Sequence, residues 1–196
     1  MKLIAITGGI GAGKSVVSRC VMAMGFDVYD CDSRAKALMD NSMDIIMAIG
    51  REIGAECVDL EVGKINREVL AGIVFNDGEA LSRLNGIVHG AVLKDISTWA
   101  ESQAKRGVQK AFVETAILYQ SNLDGIVDEV WEITAPRDSR IERVMARNGI
   151  SSGLVESRIA AQEAYIPNRV HRKIYRITND GREPVLPVVE RLAWND

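Results

Sequence analysis

Lys14 and Ser15 close a glycine-rich stretch that reads Thr7-Gly8-Gly9-Ile10-Gly11-Ala12-Gly13-Lys14-Ser15. Gly8, Gly13, Lys14 and Ser15 match G-x-x-x-x-G-K-[ST], a spacing that cradles phosphate groups. Glycines let the backbone bend back and aim successive N–H groups at phosphate oxygens. A helix that starts here adds the positive end of its dipole. Lys14 is placed to reach β- and γ-phosphates, and the Ser15 hydroxyl to hold Mg²⁺.

Other groups capable of chemistry lie downstream. Asp30 and Asp32 follow an apolar run, Phe26 to Tyr29. Carboxylates at the C-terminal end of a strand in an open α/β sheet face the ligand crevice. Either can accept a proton from a substrate hydroxyl or hold Mg²⁺ through water; the plainer alternative is a turn and cap pair. Glu114 sits near the end of a second apolar run and reads as an aid to metal or substrate, or as a structural carboxylate. Arg140, Arg143 and Arg147 stand at i, i+3 and i+7 and share one helical face. Such a face either closes over a triphosphate or is simply solvated. Arg67 and His89 stand out as polar residues in a mainly helical stretch, where a solvated charge and a hydrogen-bonded core histidine are the plain readings.

The elements that must position these groups follow from periodicity. Leu3 to Ile6 is a short buried strand, and Val16, Val17, Cys20, Val21 and Met24 mark a helix that ends at Gly25. Ser33 is the expected cap of the next helix. From about residue 42 to 105 the pattern is helical, with no strong strand. Ile45, Ile46, Ile49 and Ile53 form one apolar face; Asn66 caps a helix whose inward residues run to Phe75. Val108 to Leu118, Val127 to Thr134 and Arg172 to Thr178 read as further strands. Asp138 is the expected cap of the arginine-bearing helix. A helix from about Leu154 to Tyr165 follows, and Pro184 opens the last one. Five strands interleaved with helices predict an α/β fold: a parallel five-stranded sheet of the P-loop NTPase type, covered by helices on both faces. The expected division is one domain, with a core at 1–33 and 107–196 and a helical substrate-binding insertion at about 34–106. A helical lid is expected at about 136–166.

The 196 residues suit one such domain, and 24 Lys plus Arg against 27 Asp plus Glu leave a net charge of −3. That balance argues against a general nucleic-acid or membrane-surface binder. Three cysteines without metal-like spacing fit a reduced, cytoplasmic protein. No apolar run approaches a membrane span, and no obligate protein partner is evident.

The ordered set of motifs resembles the dephospho-coenzyme A kinase family over nearly the whole chain. Thr7 to Ser15 is close to that family's T-G-G-I-G-S-G-K-S, and Asp30-Cys31-Asp32 to its D-A-D. Ile65-Asn66-Arg67 is similar to I-D-R, and Leu84 to His89 to L-N-x-I-x-H-P. Arg143 and Arg147 match R-x-x-x-R, Arg158 to Gln162 matches R-I-x-x-Q, and Asn179-Asp180-Gly181 matches N-x-G. The chain departs from the pattern at Cys31, at Gly90 in place of proline, and at Gln120 in place of a glutamate. Ile174 or Tyr175 stands where an acidic residue is common.

The resemblance implies ATP-dependent phosphorylation of the ribose 3′-hydroxyl of dephospho-CoA, with Mg²⁺. It makes Asp32, Lys14 and Arg143 the expected catalytic residues. Gly11, Ala12, Gly13, Lys14, Ser15, Val16, Arg147, Asn179 and Gly181 are the expected ATP contacts, and Ser15 the metal ligand. Asp32, Arg67, His89 and Glu114 are the expected acceptor contacts. Two other readings stay open. A shikimate kinase would carry a triple-glycine loop, and none occurs. A GTP-operated switch needs N-K-x-D and D-x-x-G, and both are missing. Another P-loop small-molecule kinase or a silent nucleotide-binding module remains the alternative.

Overall fold

The computed structural model describes residues 1–195. In chain order the elements are β1 (Lys2–Gly8), α1 (Lys14–Ala23), β2 (Val28–Asp30), α2 (Cys31–Asn41), α3 (Met43–Glu52), β3 (Val58–Asp59) and β4 (Lys64–Ile65). They continue with α4 (Arg67–Val74), α5 (Gly78–Lys105), β5 (Lys110–Glu114), β6 (Glu129–Thr134), α6 (Arg137–Asn148), α7 (Ser152–Glu163), β7 (Ile174–Thr178) and α8 (Leu186–Trp194). The described chain forms two compact units, Met1–Asp30 with everything from Ser102 onward, and Cys31–Glu101.

The first unit is built on a five-stranded sheet in the order β2-β5-β1-β6-β7, with every pairing parallel. Central β1 is buried along Leu3 to Ile6, so both of its faces are covered. Ile4, Ile6, Phe112, Trp131, Ile133 and Ile177 point to one face and pack with Val17 and Val21 of α1 and Val189 and Ala193 of α8. The Phe112 and Trp131 rings meet edge to face at 5.0 Å. The chain leaves β1 for the far edge, β2, and later returns to place β5 and β6 on either side of it. That reversal puts a crevice at the C-terminal end of β1, where a ligand site is expected in such sheets.

Helix α1 ends as the sequence predicts. Gly25, at φ 92°, donates to the Met22 carbonyl, and Phe26 donates to Val21. This is a Schellman stop, and it needs a residue at ease with positive φ.

The second unit has its own core. Ile45 and Ile49 of α3, Cys57, Leu70 and Val74 of α4, and Ala80 of α5 are buried together. Asn66 caps α4 as expected, its side chain accepting from the Val69 N–H at 3.2 Å.

Several expectations need correction. Ser33 does not begin α2, because the helix starts two residues earlier at Cys31. Asp138 lies inside the first turn of α6, and Pro136 holds the cap position. Its charge then favours the positive helix end from within. Strand β5 stops at Glu114, short of Leu118. Phe75 caps the C-terminus of α4 and is 85% exposed, so it is no part of that helix's apolar face. Pro184 precedes the last helix by two residues.

The insertion also contains a hairpin, β3 with β4, where no strand was expected. Two-residue strands carry no readable alternation. Their turn is set by Asp59, whose carboxylate accepts the Glu61 and Val62 N–H groups at 3.0 Å each, and by Gly63 at φ 65°.

Candidate active site

The glycine loop runs from the C-terminal end of β1 to the start of α1. Gly11 lies at φ 77° and Gly13 at φ 101°, conformations that L side chains rarely adopt. Close packing excludes a side chain as well. A Cβ on Gly11 would meet the Arg140 carbonyl oxygen at 2.5 Å, and one on Gly13 would strike the Asn179 amide. No side chain caps α1 at Gly13. The first turn of that helix therefore turns its amide end toward whatever the loop holds.

Three side chains from later in the chain hold the outward carbonyls of the loop. Arg140 Nε donates to the Ile10 oxygen at 2.9 Å, and Arg143 Nη1 lies 3.4 Å from the Gly11 oxygen. Asn179 Nδ2 donates to the Ala12 oxygen at 2.9 Å. Consecutive peptide carbonyls are thus tied outward, which fixes the peptide planes of the loop. Lys14 Nζ donates to the Gly8 carbonyl at 3.0 Å, so its ammonium is folded back across the loop.

Ser15, Ser18, Arg19, Asp30, Glu114 and Arg147 line one open hollow of about 470 Å³ beside α1. Asp30 and Glu114 stand opposite each other in the β2–β5 register, at the C-terminal ends of both strands. A hydroxyl and two carboxylates are hard oxygen donors that suit Mg²⁺. Among the described residues no group of three or more His, Cys, Asp or Glu side chains forms a metal cage. Mg²⁺ in a nucleotide site needs none, since phosphate oxygens and water complete its shell.

A second hollow of about 400 Å³ lies on the other flank of the loop, against Thr7 and Gly8, and includes Gln120, Arg140, Gln162 and Tyr165.

The sequence-derived candidates divide between the units. Gly11, Ala12, Gly13, Lys14, Ser15, Val16, Glu114, Arg143, Arg147, Asn179 and Gly181 all belong to the first. Arg147 lines the Ser15 hollow and donates from Nε to Asn148 at 3.0 Å. Gly181 turns the chain at φ 82° after β7. Asp32, Arg67 and His89 belong to the second unit. Asp32 is exposed in the first turn of α2. Arg67 opens α4 and pairs with Asp40 at 2.6 Å. His89 is half-buried on α5, and burial pushes its imidazole below the ordinary histidine value, which favours its neutral form.

Two residues gain parts that sequence reasoning did not give them. Arg140 lies outside the R-x-x-x-R match, yet its side chain is 12% exposed and seated on the loop. Gln162 stood in a matched motif without a role, yet it bonds the loop directly. The signal for Arg140 was its place on the shared helical face. Gln162 had only its motif.

A family model described as dephospho-CoA kinase matches residues 2–184. A dephospho-CoA kinase from Porphyromonas gingivalis is 41% identical over 163 residues, covering 83% of this chain and 78% of that protein. One from Carboxydothermus hydrogenoformans is 31% identical over 201 residues, covering 100% of this chain and 97% of its own length. A crystal structure from Thermus thermophilus superposes with a TM-score of 0.73 at 29% identity, covering 98% of this chain and 94% of that one. With the phosphate loop intact and the match running almost end to end, the chain belongs to the dephospho-CoA kinase family.

Proposed function

We propose that the protein transfers the γ-phosphoryl group of ATP to the ribose 3′-hydroxyl of dephospho-CoA, giving coenzyme A and ADP. The observation that carries this reading is the loop from Gly8 to Ser15. Its left-handed glycines, tied carbonyls and uncapped helix start form a rigid phosphate cradle in a chain of this family.

Each residue's part follows from its chemistry. Loop amides from Gly11 to Val16 bind the phosphates. Lys14 gives up its bond to the Gly8 carbonyl and turns to the β- and γ-oxygens. Arg143 and Arg147 offset charge that spreads over the transferring group, and Asn179 and Gly181 border the nucleotide. Asp32 orients the acceptor hydroxyl and takes its proton as the new P–O bond forms and the bond to the ADP oxygen breaks. Ser15 would hold Mg²⁺, with Asp30 and Glu114 as partners through water; the ion, when bound, would supply positive charge to offset that of the phosphates.

The residues assigned to the acceptor besides Asp32 are Arg67, His89 and Glu114. The hairpin of α6 and α7 acts as a lid that keeps water from the γ-phosphate. Among the described residues no helix is long and apolar enough to cross a membrane, and Cys20, Cys31 and Cys57 are all free thiols. Both fit work in the cytoplasm, and the net charge of −3 fits a small-molecule substrate rather than nucleic acid.

The test is ADP release from ATP and Mg²⁺, with and without dephospho-CoA, with the product mass checked. ADP formation that depends on dephospho-CoA and adds one phosphate supports the reading. A protein that binds ATP but ignores dephospho-CoA overturns it, and leaves another small-molecule kinase.

A further inference from the structure

Ile10 is tied to its surroundings by its N–H, its carbonyl and its side chain. Its N–H donates to Gln162 Oε1 at 2.8 Å, and its carbonyl accepts from Arg140 Nε at 2.9 Å. Its side chain packs against Val144, Val155 and Ile159, the small core that joins α6 to α7. Gln162 then passes the connection on, with Nε2 donating to the Ala116 carbonyl at 3.0 Å in the segment after β5. Arg140 is held in turn by Glu163, at 2.8 Å from Nη1.

The residue type matters here. Gln162 bridges an N–H on one side and a carbonyl on the other. A side-chain amide does both without carrying charge, and its oxygen and nitrogen can face different partners. A carboxylate in its place would face the Ala116 oxygen with no donor. An ammonium would leave the Ile10 N–H unmet. A neutral bridge also adds no negative charge beside a triphosphate.

We propose that Gln162 is a positioning residue for phosphoryl transfer. It fixes the Ile10 peptide, and with it the phosphate loop, to α7 and to the segment after β5, while Arg140 closes the clamp from α6. The clamp then holds the α6–α7 hairpin against the loop. The proposal rests on the reading of the loop as the ATP site.

The test compares the wild-type chain with Gln162→Met, close in length but without an N–H donor or oxygen acceptor, and Gln162→Glu, which keeps the acceptor alone. The first readout needs no nucleotide: amide exchange of Ile10 followed by NMR on isoleucine-labelled protein. The second is steady-state kinetics with the two substrates varied separately. In Gln162→Met, Ile10 exchange should quicken about tenfold or more, and the KM for ATP should rise about tenfold, the worth of one hydrogen bond of ordinary to charged strength. The KM for dephospho-CoA should stay within about twofold. Gln162→Glu should keep Ile10 protected yet raise the KM for ATP about threefold or more through loss of the Ala116 tie, so it serves alone if the methionine variant does not fold. Unchanged Ile10 exchange in Gln162→Met, or exposure of Ile10 in Gln162→Glu, overturns the clamp and leaves the reaction assignment standing. An activity loss that follows the melting temperature, with the KM for ATP unmoved, also overturns it. A wild-type chain that does not phosphorylate dephospho-CoA overturns the reaction assignment and the clamp's catalytic part together.

Discussion

Arg143 donates from Nη2 to the carbonyl of Asn179 at 2.9 Å, and Asn179 donates from its side chain to the carbonyl of Ala12 at 2.9 Å. One residue of α6 and one just past β7 therefore hold each other as they hold the loop. The guanidinium serves two carbonyls at once, since its other nitrogen lies near Gly11. A planar fork does this; a single ammonium on a flexible stem does not. Arg143→Ala should raise the KM for ATP and lower kcat, with kcat/KM for ATP down about 10- to 100-fold, as loss of charge-assisted hydrogen bonds implies. Arg143→Lys should recover little of it. Steady-state kinetics on both variants check this; full recovery by lysine would show that charge alone matters there.

The two glycines at positive φ that flank α1 offer an internal comparison. A Cβ on Gly13 would strike Asn179, whereas one on Gly25 meets nothing within 4 Å. Gly25→Ala should cost only backbone strain, about 1–2 kcal/mol by urea denaturation, and leave ATP affinity alone. Gly13→Ala should also push Asn179 off the Ala12 carbonyl, and ATP binding by calorimetry should fall at least tenfold. Equal ATP affinity in both variants would remove Asn179 from the cradle.

Asp32 is assigned the acceptor hydroxyl and no contact with the nucleotide. Asp32→Asn should therefore bind ATP almost normally and turn over about a hundredfold or more slowly, the range for loss of a general base. Near-normal turnover in the variant would take Asp32 out of the chemistry.

Glu129 provides the pH test of the sheet's opposite end. Burial pushes its carboxyl upward, but hydrogen bonds from Lys173, Trp131 and Lys2 outweigh that and leave it below the ordinary value of 4.5. Lys173 and Lys2 lie 2.7 and 3.2 Å from its carboxylate. A depressed folded-state pKa binds fewer protons than the unfolded chain does near that value. The contribution is thus complete above about pH 4.5 and disappears as pH falls through the folded-state value. Glu129→Gln should lower stability by about 2 kcal/mol at pH 7 and flatten the acid side of the curve. Urea midpoints from pH 7 to pH 3 give the answer; parallel curves for wild type and variant would mean the carboxylate carries no such linkage.

The sequence by itself determined the parts whose physics is local. The glycine loop was legible because backbone conformation and phosphate chemistry demand Gly8, Gly13, Lys14 and Ser15 at fixed spacing. The stop at Gly25, the cap at Asn66 and the buried run of β1 were legible for the same reason: each is decided within one or two turns of chain. Ser33, Asp138 and Phe75 misled because a good capping residue or an apolar side chain near a helix end is only permitted there, and neighbouring packing chose otherwise. The hairpin of β3 and β4 was too short to leave a period. Only the tertiary structure decided which groups hold the loop. Arg140, Arg143, Gln162 and Asn179 lie 130 to 167 residues from the carbonyls and amide they bind. No local pattern encodes such a pairing; it exists because the parallel sheet brings the ends of β1, β6 and β7 to one edge, where these side chains meet the loop.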